Sequence, residues 1–215
     1  MDRSIYLLVV IIILILFISA KGFKIWRNHT RAITIEGQVV NVVAAFENSQ
    51  LAAKTLAELN KRTMDFLVYL RGKYQISGDE KIGGSESQRE LIVAEVLRRY
   101  NPDAIYEGRP NNGSETSFTL DKGKKIVLCL RSAQKPADFE DMNTLVFVVL
   151  HEISHMGDPR MWGHPTRFWQ IFKFMLQEAV ALGIYVPEDY SVHPRLYCGM
   201  NLKNNPLFFG GIIPI

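Results

Sequence analysis

The chain has 215 residues, with 25 Lys+Arg against 22 Asp+Glu for a formal net charge of +3. Apolar residues make up 47% and charged ones 22%, which excludes the disordered class and allows one domain with a sizeable core. So small a net charge argues against a strongly basic nucleic-acid binder, and two cysteines make no disulfide framework.

The chain opens on an apolar run at residues 5–18, in which only Tyr6 has any polarity. Extended over residues 4–20 it would give about 25 Å of helix, at the short end of what crosses a hydrocarbon core. Lys21 and Lys24 could snorkel to lengthen its reach. A cleaved signal peptide fits less well than an anchor, because Met1-Asp2-Arg3 is weakly basic and Ile18 stands where a small residue is preferred. We therefore expect a single N-terminal transmembrane anchor at 4–23 and a basic juxtamembrane linker at 24–38. Lys21, Lys24, Arg27 and Arg31 precede the first acid, Glu36, which places the rest of the chain on the cytosolic side. Two glycosylation-type triplets, at Asn28 and Asn112, point the other way but are common by chance.

The remaining domain is expected over residues 39–215. Residues 39–74 read as helical, with Phe46, Leu51, Leu56, Leu59, Phe66, Leu67 and Leu70 recurring at three-to-five spacing and a break at Asn48-Ser49. A Gly/Ser-rich loop follows, and Ser85 or Ser87 could cap a helix over residues 88–100 that ends at Asn101-Pro102. Strand patterns come next: 104–107, then 116–120 and 124–130 around the hairpin signal Asp121-Lys122-Gly123. A small antiparallel sheet is thus expected just before the next helix, which Asp141 or Asn143 could begin. Cys129 lies in an apolar run and reads as a small core residue, whereas Cys198 lies in loop-like sequence.

That helix carries the most informative pentapeptide, His151-Glu152-Ile153-Ser154-His155. Residues four apart on a helix share one face, so His151 and His155 could grip one Zn²⁺ while Glu152 works on a water at the metal. The pattern could be accidental on a wet helix face. Here it ends a strongly apolar segment, and buried polar groups need a partner. Three of the five histidines also fall within residues 151–164. Pro159 and the glycines at 157 and 163 forbid a continuous helix, and a second apolar helix is expected over 166–182, ended by Gly183. A turn there would swing His164 back as the third ligand. Glu178 is the competitor, but about 21 Å of helix separates it from His164, so both cannot serve one metal. Cys198 is a remoter candidate. The tail from 185 onward is proline-rich and mostly loop.

His-Glu-x-x-His followed by Gly163-His164-Pro165-Thr166-Arg167-Phe168-Trp169 resembles the SprT and WLM-type zinc metalloproteases. In that family the third histidine follows a glycine and opens a helix with an aromatic residue four positions on. The strand pair ending at 124–131 resembles it too, and the likeness covers roughly residues 86–182. It implies an α+β, zincin-like core with a small antiparallel sheet packed on the motif helix and the helix after it. It also implies proteolysis of DNA-bound proteins. However, the chain has no zinc-ribbon cysteines and no strongly basic patch, so nucleic acid is not an expected partner. A membrane anchor departs from the family pattern and resembles sequences of large DNA viruses.

The expected chemistry is zinc-dependent peptide hydrolysis, with His151, His155 and His164 holding the metal and Glu152 as general base. His193, Tyr190 and Tyr197 are candidate oxyanion or substrate donors. A substrate peptide could add to a sheet edge near residues 124–131. The alternatives are a non-catalytic membrane or virion protein with a structural zinc, and a protease acting on DNA-bound proteins. Glu152 speaks against the first, since a structural site has no use for it.

Overall fold

The computed structural model describes residues 30–76, 87–110 and 116–210. The expected anchor at 4–23, the triplet at Asn112 and, in the triplet at Asn28, all but Thr30 lie outside these residues. Among the described residues, no helix is long and apolar enough to cross a membrane.

The fold is mixed α+β. Strands β1 (Thr30–Ile35) and β2 (Gln38–Val43) form an antiparallel hairpin. Helix α1 (Ser49–Lys73) and helix α2 (Gln88–Arg99) follow. Then come β3 (Ile105–Gly108), β4 (Phe118–Leu120) and β5 (Lys125–Cys129). Helices α3 (Met142–Ser154) and α4 (Thr166–Leu182) precede a small hairpin of β6 (Arg195–Tyr197) and β7 (Met200–Leu202). The main sheet has the order β1-β2-β3-β5-β4.

This corrects two expectations. The sheet before the motif helix is not a separate antiparallel unit: β3 runs parallel to both β2 and β5, and only β4–β5 keeps the expected hairpin. Residues 30–43 are neither linker nor helix start. Glu36 and Gly37 adopt positive φ (49° and 83°), which reverses the chain between two runs rich in β-branched residues. Val40 and Val42 are fully buried against the core, so the valine run serves the sheet rather than α1.

Each helix has a local reason for its limits. The helix after Asn48 starts at Ser49, as expected, and buries Ala52, Ala53, Leu56, Leu59, Phe66 and Leu70. Ser87 and Glu90 form a reciprocal capping box on α2. The Asp141 side chain accepts from Thr144 N at 3.0 Å, starting α3. Gly183, with φ 81°, ends α4. A single core joins α1, α3 and α4 to the sheet.

Candidate metal centre and active site

Helix α3 is buried almost throughout and delivers His151 and Glu152 from its last turn. His155 is the residue after that helix, yet it keeps helical φ/ψ (−63°, −18°), so the four-residue spacing survives. The loop back to α4 is tight. A Cβ on Gly157 would lie 2.9 Å from Ile92 and 3.0 Å from Ile171, so that position admits only glycine without movement. Gly163 has φ 64°, and His164 follows it just before the Pro165 cap of α4.

This loop returns His164 to the first two histidines. The ring centroids form a near-equilateral triangle: 5.1 Å between His151 and His155, 4.8 Å between His151 and His164, and 5.0 Å between His155 and His164. One ligand nitrogen from each lies within 4.8 Å of the others, and the Nε2 atoms of His151 and His164 are 3.0 Å apart. Four-coordinate zinc with bonds near 2.0–2.1 Å wants nitrogens about 3.3 Å apart. The three imidazoles therefore fit one such ion with small ring movements. Phe168 forms the floor. Its ring centroid lies 4.7, 4.4 and 4.6 Å from those of His151, His155 and His164.

The electrostatics suit a cation. Burial, reinforced by His155 and His164, holds His151 well below its ordinary pKa. Burial, with His164 and Lys122 beside it, pulls His155 down to about 4, and burial also lowers His164. All three rings thus stay neutral with lone pairs available.

The trio opens onto a cleft of about 420 Å³. One wall is β4 and its turn, residues 117–122, and the other carries Trp162, Gly163 and His164. Trp162 is 85% exposed, and the Lys122 ammonium sits 5.4 Å over its ring. Glu152, itself buried, also lines the cleft. Thr119 on β4 donates to Glu152 Oε2 at 3.0 Å, a contact that the sequence reading missed.

The other candidates lie elsewhere. Glu178 is turned to α1: its Oε2 accepts from Lys73 Nζ at 2.6 Å and Tyr69 Oη at 3.1 Å, and its Oε1 from Tyr74 Oη at 2.9 Å. Tyr190 is buried edge-on against Phe147 and does not line the cleft. His193 is exposed in a turn closed by its N–H to Asp189 O at 2.9 Å. Tyr197 is buried with its hydroxyl donating to Cys129 O at 2.7 Å, and the Ser117 hydroxyl lies 2.7 Å away. Its proton is therefore committed to the backbone. Burial, then the charges of Glu152 and Glu140, push its pKa up.

The two cysteines are paired with each other, which their sequence context did not suggest. Cys129 is in the core as expected, but it is bonded to Cys198, 69 residues away, so Cys198 is not a metal ligand. Among the described residues, His151, His155 and His164 are the one group of side chains placed to hold a metal.

The WLM domain family model matches residues 98–205, which include the whole site. An uncharacterized protein of Acanthamoeba polyphaga mimivirus is 33% identical over 207 residues, covering 95% of this chain and 96% of that protein. An uncharacterized protein of Invertebrate iridescent virus 6 is 43% identical over 83 residues, 38% of this chain and 44% of that one. Among solved structures, Wss1 from Saccharomyces cerevisiae gives a TM-score of 0.46 at 16% identity, covering 67% of this chain and 88% of that one.

Proposed function

Because the chain belongs to the WLM domain family, we propose that it is a zinc-dependent metallopeptidase with its active site in the β4–α3–α4 cleft. One observation carries the reading: three imidazoles converge, with one ligand nitrogen from each within 4.8 Å of the others, while a buried carboxylate from the helix that carries His151 faces the same cleft. Zinc held there would supply Lewis acidity, making a water more acidic and a carbonyl more electrophilic.

The chain's own residues do the rest. Glu152 takes a proton from the attacking water and returns it to the leaving amine. Phe168 fixes the three rings by packing on them. The sheet order leaves β4 as an edge strand, and β4 borders the cleft. A peptide pairing with that edge would lie across Glu152. The docking edge is thus Phe118–Leu120, because β5, where the sequence suggested an edge, is enclosed between β3 and β4. A purely structural zinc would leave Glu152 without a task. The apolar run at 4–23 would anchor this domain to a membrane.

The test is zinc stoichiometry together with proteolysis of labelled casein by the wild type and Glu152→Gln. One zinc in both, with cleavage only by the wild type, supports the reading. Equal cleavage by Glu152→Gln, or no zinc in the wild type, overturns it.

A further inference from the structure

We propose that Thr119 is a positioning residue that aims the Glu152 carboxylate; the inference rests on the metallopeptidase reading above. Glu152 is only 4% exposed, so bulk water does little to orient it. Strand alternation sends the side chains of Phe118 and Leu120 to one face of β4 and that of Thr119 to the other, toward α3. From there its hydroxyl reaches two acceptors of the same residue, Glu152 Oε2 at 3.0 Å and Glu152 O at 3.3 Å. The hydroxyl has one proton, and the shorter distance and full charge assign it to the carboxylate. Fixing Oε2 sets the plane of the carboxylate, and with it the direction in which the other oxygen meets a water at the metal.

The strand that supplies this hydroxyl is also the edge offered to substrate. Thr119 pairs with the fully buried Ile126 on β5, so its backbone is held from the sheet side. Substrate pairing on the outer side would hold it from the other. Docking and the aim of the base are then linked through one residue. Sequence separation hides the contact, because Thr119 and Glu152 are 33 positions apart.

The experiment compares Thr119→Val, which keeps shape and branching, with Thr119→Ser, which keeps the hydroxyl, in the full-length chain. Casein turnover is expected to show kcat down about tenfold for Val, with KM within about twofold, and Ser within about threefold of wild type. A second readout needs no turnover. The cobalt(II)-loaded chain is titrated with acetohydroxamate, which places its hydroxyl against the base, and visible absorption is followed. Val is expected to weaken binding about tenfold and Ser to restore it, with one metal bound throughout. Val matching wild type, Ser failing as badly as Val, or a loss confined to KM would each overturn the proposal. A wild type that leaves casein uncut, while the hydroxamate titration still separates Val from Ser, would count against the peptidase reading and for the role of Thr119.

Discussion

Opening the Cys129–Cys198 bond should destabilise the domain far more than its two sulfurs suggest. Both residues are fully buried, and the bond joins β5 to the segment just after β6 across 69 positions. Closing a loop of that length removes entropy from the unfolded chain worth about 4.4 kcal/mol at 25 °C. The whole stability of a domain is about 5–15 kcal/mol. Neighbouring hydrogen bonds do not depend on the bond itself: Tyr197 donates to Cys129 O, Cys129 N donates to Ser117 Oγ, and Cys198 N donates to Glu140. The loss should therefore act mainly on the unfolded state. The assay is urea unfolding of the oxidised chain, the reduced chain and the double variant Cys129→Ala/Cys198→Ala, followed by far-UV circular dichroism. The open forms should lose about 3–5 kcal/mol and melt about 10 °C lower. Their urea dependence should steepen as the unfolded chain expands. A loss under about 1 kcal/mol would refute the loop-closure account.

Two further predictions follow from the polar groups around the site. His164→Ala should release the metal, whereas Glu178→Ala should keep one zinc per chain and instead cost about 1–2 kcal/mol, because it breaks a tie to Lys73, Tyr69 and Tyr74 whose lysine end is half-exposed; zinc analysis beside urea melts separates the two, and zinc loss on Glu178→Ala alone would reverse the ligand assignment. In the chelator-treated protein, burial holds His151 well below its ordinary value and lowers His155 to about 4 from an ordinary 6.5. Between those pH values the unfolded chain takes up protons that the folded chain refuses, so stability should fall as pH drops from about 6.5 toward 4.5. A urea midpoint flat over that range would contradict it.

How much of this was legible depends on how far apart the interacting residues stand. The bounds of α4 could be read because its signals are local: Pro165 before the apolar stripe and Gly183 after it. The β4–β5 hairpin was legible in Asp121-Lys122-Gly123, where all three residues take positive φ and a Cβ on Gly123 would lie 2.5 Å from Arg99 O. The β1–β2 hairpin was missed although Glu36-Gly37 marks it. Val39, Val40, Val42 and Val43 run into the helical spacing of α1 with only a short polar break, and a lone hairpin gains its stability from packing that the sequence does not display. The parallel pairing of β3 with β2 and β5 joins segments with a long crossover between them, and no local pattern specifies such a partner.

The site divides along the same line. The spacing from His151 to His155 is a property of one helix turn. The return of His164 is encoded in Gly157, Pro159 and Gly163 within a single short loop. Phe168 was visible as an aromatic four positions after His164, and the structure gives that spacing its reason, since one helix turn carries the ring beneath all three imidazoles. Tertiary contacts were not visible. The covalent pairing of Cys129 with Cys198, the hold of Thr119 on Glu152 and the capture of Glu178 by Lys73 each bridge 33 or more positions. Glu178 shows the consequence most clearly. From sequence it is a carboxylate on the right helix, and only the α1 residues packed against it reveal that its charge is already matched. Ligand choice here is thus decided by what each candidate side chain already satisfies, and among these candidates the histidines are the ones left facing one another.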